Sequence, residues 1–208
     1  MADIAASARE LESVRKASSE EIPRLAAVLA RALYDDPQFV WMLPDDARRL
    51  RLLEPGFELF LRRLWFKQDE SFTTDGIAGV AVWELPGQWK IGFMEQVRVL
   101  PSMVRHWGRS LPRFVRAITA LESNHPKQPH YYLPVLGVDP EWQGRGIGSA
   151  LMRPILDRCD SERVPAYLEA STPRNRVLYE RHGFEVTGEF TLGKGSPPLW
   201  PMWREPAA

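Results

Sequence analysis

The 208-residue sequence predicts an α/β fold, with one domain from residue 13 to 205 behind a tail of residues 1–12. Two observations carry that reading. The first is the run His130 to Val138 (HYYLPVLGV), apolar, aromatic and β-branched, closed by Asp139-Pro140. It turns through glycines into a segment where Ile147, Ala150, Leu151, Ile155, Leu156 and Cys159 recur at helical spacing. The second is the repeat of this order just downstream: an apolar strand Pro165 to Ala170, then a helix Arg174 to His182 closed by Gly183 at a left-handed cap position.

The N-terminal half reads more weakly. Ser19-Glu20-Glu21-Ile22-Pro23 opens a helix with a capping serine, early acids and an early proline. Leu25, Val28, Leu29, Ala32 and Leu33 form its buried stripe, and Asp35-Asp36-Pro37 ends it. Asp45 starts a second amphipathic helix carrying Leu50, Leu53, Phe57, Phe60, Leu61 and Leu64, with a kink expected at Pro55-Gly56. Ser71 to Thr74 and Ile77 to Leu85 read as a hairpin about an Asp75-Gly76 turn. Lys90 to Ser123 has helical period and splits into two or three pieces, with Pro101 and Pro112 near their starts. Strands Phe184 to Thr191 and Leu199 to Arg204 finish the chain around Gly193-Lys194-Gly195-Ser196.

The glycine turn reads Gln143-Gly144-Arg145-Gly146-Ile147-Gly148-Ser149. A strand passing through glycines into a helix aims several backbone N–H groups, and the positive end of the helix dipole, at one spot. Such a spot binds phosphate. A dinucleotide fingerprint needs glycine at 149, where Ser149 stands, and the nucleotide P-loop needs a Gly-Lys-Ser/Thr ending that is absent. A glycine-rich turn with no ligand is the remaining alternative.

A second motif follows one αβ unit later: Asn175, Tyr179, Gly183 and Phe184. Gln143, Gly146 and Gly148 followed by Asn-x-x-x-Tyr-x-x-x-Gly-Phe resemble the GNAT (GCN5-related N-acetyltransferase) superfamily. The stretch Tyr132 to Phe184 is similar to puromycin N-acetyltransferase-like bacterial members, and a weaker likeness runs from about Val14 to the C-terminal end. The resemblance implies a central, mostly antiparallel sheet with a splayed pair of parallel strands, flanked by helices, and a short first strand near Ser13 to Ala17. It implies acetyl-CoA as cofactor. Pro134 fits this implication, because a proline removes a ladder donor and belongs at a bulge or edge. The family's strand bulges here and parts from its neighbour to admit the pantetheine arm.

The resemblance also assigns roles. Backbone groups of Gln143, Gly144, Arg145, Gly146, Ile147, Gly148 and Ser149 would hold the pyrophosphate. Arg145 either adds charge or is simply solvated. Leu136, Gly137 and Val138 would contact the pantetheine and polarise the thioester carbonyl. Asn175 would bind the arm, or else cap its helix. Tyr179, one turn from Asn175, would protonate the leaving thiolate. A tyrosine of pKa about 10 against a thiol near 8.5 makes full transfer uphill by roughly 2 kcal/mol, so a strong hydrogen bond is its main contribution.

The residues themselves leave the base open. A lysine-like amine is protonated at neutral pH and needs one. Glu169 lies in an apolar strand (AYLEA), where burial raises a carboxyl toward base duty. Glu122, His125, His130 and a water chain are the alternatives. His106 and His182 are expected at the surface. Tyr34, Asp35, Asp36, Phe39, Trp41 and Trp83 are candidates to line an amine pocket, with the carboxylates favouring a cation.

Composition bounds the partners. There are 27 basic and 27 acidic residues, a poor basis for a nucleic-acid binder relying on bulk charge. One cysteine, Cys159, excludes an internal disulfide and a Cys-rich zinc site. No apolar stretch approaches the roughly 20 residues of a membrane span, and the start lacks an apolar signal core, so a cytoplasmic location is expected. Trp200 and Trp203 mark a candidate homodimer contact. The expected function is acetyl transfer to a primary amine of a small molecule by direct attack in a ternary complex. Its rivals are a non-catalytic acyl-CoA-binding module, a protein N-terminal or lysine acetyltransferase, and a nucleotide-binding domain of another type.

Overall fold

The computed structural model describes residues 13–207, with Phe93 described by its backbone alone. The expected tail of residues 1–12 lies outside the described residues. The strands are β1 (Val14–Lys16), β2 (Ser71–Thr74), β3 (Gly79–Glu84), β4 (Tyr131–Val138), β5 (Ala166–Ala170), β6 (Glu185–Val186), β7 (Phe190–Thr191) and β8 (Pro198–Arg204). The α-helices are α1 (Ile22–Ala32), α2 (Pro37–Met42), α3 (Asp46–Arg63), α4 (Phe93–Trp107), α5 (Leu111–Asn124), α6 (Ile147–Glu162) and α7 (Pro173–Glu180). One mixed sheet runs β1-β2-β3-β4-β5-β8-β6, with β7 also on β8. The β4–β5 pair is parallel and the other pairs are antiparallel.

Helices cover both faces of the sheet. One face packs α1 to α5 through Leu25, Leu29, Phe57 and Phe114 on Val80, Val82 and Val135. The other packs α6 and α7 through Leu151, Ile155 and Tyr179 on Ala81, Trp83, Leu133 and Leu168. Among the described residues no helix is long and apolar enough to cross a membrane.

Local chemistry moves several boundaries from their expected places. Ser18, not Ser19, forms the capping box: its backbone N–H donates to Glu21 Oε2 at 2.9 Å. Asp36-Pro37 does more than end α1. The Asp36 carboxylate accepts from the Gln38 N–H and starts α2, a short helix absent from the sequence reading. Helix α3 runs unbroken through Pro55-Gly56, and a Cβ at Gly56 would come within 2.7 Å of the Trp107 ring, so glycine there admits α4. Pro112 sits at the start of α5 as expected, but Pro101 lies inside α4. Pro101 and Val97 four residues before it are both exposed, so the carbonyl left without a donor faces water.

The β2–β3 connection is not a two-residue Asp75-Gly76 turn. It spans residues 75–78, and Ile77 takes the left-handed position at φ 54°. The Thr74 carbonyl and hydroxyl bind the N–H groups of Ile77 and Ala78, both at 2.9 Å, and Ile77 is buried. The strand expected over Phe184 to Thr191 is two short pieces on β8, separated at residues 187–189.

Candidate active site

Strand β4 builds the site by leaving its neighbour. It pairs with β5 only through Tyr131, Tyr132 and Leu133. Its pairing with β3 slips between Val82 and Glu84, and Pro134, which has no N–H to give, stands at that irregularity. Beyond it Pro134, Leu136 and Val138 alternate half-buried with buried Val135 and Gly137. A gap therefore opens between β4 and β5 toward the glycine loop.

The loop has the conformation its glycines permit. Gly144 and Gly146 have φ of 77° and 81°, left-handed values that other residues adopt at a cost, and a Cβ on either would meet open space. Gly146 is the N-cap of α6. A cradle of backbone at a helix N-terminus, with no side chain filling it, fits a pyrophosphate. The Gln143 amide donates to the Val138 carbonyl at 3.1 Å and ties the loop to the end of β4. Gly148 lies beside Leu136, Val138 and Leu178, where an added Cβ would make ordinary contacts, while Ile147 is buried beneath the loop. Arg145 is exposed and stacks over Trp142 at 4.5 Å. The Ser149 hydroxyl is engaged with His182 Nε2 at 2.8 Å, so His182 is half-buried rather than a plain surface residue. Gly137 sits beneath α1, against Leu29 and Ala32, on the opposite side of the strand.

Below the gap lies a cavity of about 210 Å³. Glu169, Tyr132, Ser171, Asn175, Tyr179, Asp36 and Gln38 line its polar end, and Phe39, Phe57, Phe60, Trp65 and Phe114 line the rest. Glu169 Oε2 accepts from the Tyr132 hydroxyl at 2.9 Å, while its Oε1 is buried with no hydrogen-bond partner. Burial raises the carboxyl from 4.5 to about 7, against the lowering effect of hydroxyl donation from Tyr132 and Tyr167, its neighbour on the same face of β5. A carboxyl that titrates near neutrality in the lining of a cavity can take a proton from an amine.

Tyr179 is buried on α7 and lines the same cavity. Burial, then the charge of Asp36, raises its phenol above the ordinary value. Asn175 is not the helix cap; Thr172 caps α7 by accepting from the Asn175 backbone N–H at 3.1 Å. The Asn175 side chain instead donates to Ser171 Oγ at 3.3 Å, and that hydroxyl donates to Asp36 Oδ2. Ser171 and Gln38 escaped the sequence reading, since neither belongs to a motif. The polar link from Asn175 to Asp36 joins positions 139 residues apart, which periodicity cannot reveal.

The other candidates separate cleanly. Asp36 and Phe39 line the cavity. Asp35 is exposed. Tyr34 donates to Asp46 at 2.9 Å, and Trp41 lies against Gly193. Trp83 is fully buried on the face that carries α6. Glu122 is exposed, and His125 and His130 stand outside the cavity lining. The two histidines form their own pair. His130 Nδ1 is 2.6 Å from the Gln128 carbonyl and must donate to it, so His130 Nε2 accepts from His125 Nε2, 2.9 Å away. Burial lowers both, His125 to about 3, which keeps them neutral. Cys159 is buried under α6 and pushed up to about 12, so it packs rather than attacks. Trp200 and Trp203 are half-buried and donate to Glu189 and Glu205 within the chain.

The sheet splays at its parallel pair, and the N-terminus of α6, opened by the glycine loop, stands at the mouth of the gap, the arrangement that the resemblance implies. Comparison with known proteins agrees on the family. The family profile described as Acetyltransferase (GNAT) domain matches residues 113–186. An uncharacterised N-acetyltransferase of Schizosaccharomyces pombe is 26% identical over 207 residues, covering 93% of this chain and 83% of the relative. A mycothiol acetyltransferase of Beutenbergia cavernae is 49% identical over 53 residues, 24% of this chain and 18% of that one. The Corynebacterium glutamicum structure described as histone acetyltransferase HPA2 and related acetyltransferase superposes with TM-score 0.73 at 27% identity, covering 94% of this chain and 97% of that chain. The chain belongs to the GNAT superfamily and is an acetyl-CoA-dependent acetyltransferase.

Proposed function

We propose that this protein transfers an acetyl group to the primary amine of a small molecule by direct attack in a ternary complex. The observation that carries the reading is the buried Glu169 carboxyl, raised to about 7, lining the same cavity as Tyr179. Acetyl-CoA supplies the acetyl group as a thioester, so that one N–C bond forms, one C–S bond breaks, and the proton that the acylated nitrogen loses ends on sulfur as coenzyme A leaves as the thiol. The backbone from Gln143 to Ser149 would hold its pyrophosphate, and Leu136, Gly137 and Val138 would line its arm where β4 parts from β5. Glu169 takes the proton from the bound ammonium and leaves a nucleophilic amine. Tyr132 fixes the Glu169 carboxylate through the 2.9 Å hydrogen bond. Tyr179 directs its O–H toward the position where negative charge develops on sulfur. Asn175, Ser171 and Asp36 form the polar wall beside it. A partly open cavity walled by Phe39, Phe57, Phe60, Trp65 and Phe114 supports a small-molecule acceptor.

Two measurements test this. Acetyl-CoA should raise the thermal stability of the protein where ATP and NAD at equal concentration do not, because a ligand stabilises the state that binds it. Thiol release should then depend on added primary amine. No stabilisation by acetyl-CoA, or stabilisation without amine-dependent thiol release, would reject the proposal.

A further inference from the structure

We propose that the acceptor is a primary monoamine with an uncharged apolar body about one aromatic ring in size, an arylalkylamine or a short branched alkylamine. The inference rests on the acetyl-transfer reading and specifies the substrate of the same site.

The head group is defined by two orphaned acceptors. Glu169 Oε1 and Gln38 Oε1 are both buried, both line the cavity and both lack a hydrogen-bond partner. The orientation of the Gln38 amide is fixed chemically. Its nitrogen lies 3.2 and 3.0 Å from the carbonyls of Pro197 and Pro198, which only accept, so the oxygen must be the free end. Leaving such groups unpaired is unfavourable, more so for a charge. Two acceptor residues in the lining of one cavity suit a ligand whose head carries several donors. A primary ammonium has three.

The body is defined by what surrounds the rest of the cavity. Phe39, Phe57, Phe60, Trp65 and Phe114 supply rings, and no lysine, arginine or histidine is among the lining residues. A carboxylate on the substrate would find no cation. The acids of the lining, Asp36 and Glu169, belong to the polar end, where Asp36 accepts from Ser171 two residues beyond Glu169. A second ammonium at the far end would be desolvated against rings with no carboxylate beside it. The volume suits one ring: an apolar cavity of about 150 Å³ holds one benzene ring, and this one, open on one side, measures about 210 Å³. One ring with a two-carbon arm fits.

The test compares kcat/KM for 2-phenylethylamine, agmatine and phenylalanine with saturating acetyl-CoA. These add, respectively, nothing, a second cation and a carboxylate to a primary amine. Phenylethylamine should be favoured at least tenfold over each of the others. Parity, or a preference for agmatine or phenylalanine, would overturn this substrate class while leaving acetyl transfer intact. Failure of acetyl-CoA to stabilise the protein would instead remove the underlying reading. The half-exposed Ile118 lines the apolar end. Ile118→Asp should shift the phenylethylamine-to-agmatine ratio at least tenfold toward agmatine; an unchanged ratio contradicts the placement of the body. Gln38→Met, checked for folding by its retained stabilisation with acetyl-CoA, should raise KM for phenylethylamine about tenfold. An unchanged KM would remove Gln38 from the head-group site.

Discussion

The two ends of the cleft are made of different material. The end proposed for the coenzyme is backbone, contributed by one continuous stretch from Leu136 to Ser149 and shaped by two left-handed glycines. The end proposed for the amine is side chains, drawn from positions between Leu33 and Leu199 on α2, α3, α5, β4, β5, α7 and β8 and the segments between them. A ligand held by backbone requires a local conformation, and a local conformation leaves a contiguous signature. A pocket made of side chains requires only that the fold bring them together, so almost any order along the chain serves. Substitutions at the amine end should therefore change chemistry and selectivity, and substitutions in the loop should change coenzyme affinity.

The largest separation is expected from Glu169→Gln. It removes the proton acceptor but preserves the shape, and kcat/KM at pH 7.5 should fall by about 10²- to 10⁴-fold. Stabilisation by acetyl-CoA should persist. In the unmodified protein kcat/KM should rise with pH through about 7, as Glu169 ionises, and the variant should lose that limb. A loss under about threefold would place the base elsewhere and undo the assignment of roles to the two ends.

Behind Glu169 a second carboxylate is buried. Glu84 lies across from Tyr132 on β3, and burial, then the charge of Glu169, pushes it from 4.5 up to about 8. A carboxyl whose folded value is raised holds its proton longer in the folded state than in the unfolded one. Stability is thus full below about 4.5 and declines as pH rises toward 8, by at most about 5 kcal/mol. Glu84→Gln removes that decline. The variant and the unmodified protein should melt together near pH 5 and separate progressively up to pH 9, the variant being the more stable. Parallel melting curves across the range would show that Glu84 is not held protonated by the fold.

Tyr179→Phe should lower kcat about 100-fold, the low end for a positioned acid, with KM for acetyl-CoA nearly unchanged. The structure sharpens the reason for that modest figure. Burial and Asp36 hold the phenol protonated, so it stabilises by donating a hydrogen bond rather than by surrendering its proton. A parallel rise in acetyl-CoA KM would mean that Tyr179 belongs to the coenzyme end as a contact.

The same division explains what could be read in advance. Strand β4, the loop, α6 and α7 were legible because glycine, proline and helical spacing each demand a local geometry. Glu169 was legible because a carboxylate in an apolar strand conflicts with its surroundings. Gln38 and Ser171 were not, because an isolated glutamine or serine demands nothing locally. Their meaning comes from partners more than 130 residues away, at Pro197 and Pro198 for Gln38 and at Asp36 for Ser171. Trp83 misled the reading in the opposite sense. Period-2 alternation along β3 puts Trp83 with Ala81 on the face that carries α6, opposite Val80 and Val82 and away from the cavity.

The loop end offers the smallest expected effect and the cleanest one. Gly146 holds φ 81° at the N-cap of α6, with nothing within 4 Å of the place where a Cβ would stand. Gly146→Val therefore meets no protein atom in the folded chain, and its cost is conformational. A β-branched residue in the left-handed region is disfavoured by about 1–2 kcal/mol. If the chain keeps the loop conformation, that cost appears as lost stability. If the loop relaxes instead, the backbone N–H groups no longer converge, and acetyl-CoA binds about 5- to 30-fold more weakly for the same free energy. The amine cavity is untouched in either case, so kcat at saturating acetyl-CoA and the ranking of amines should stay as they were. A changed ranking would mean that the loop and the amine cavity are coupled, and that the division between the two ends does not hold.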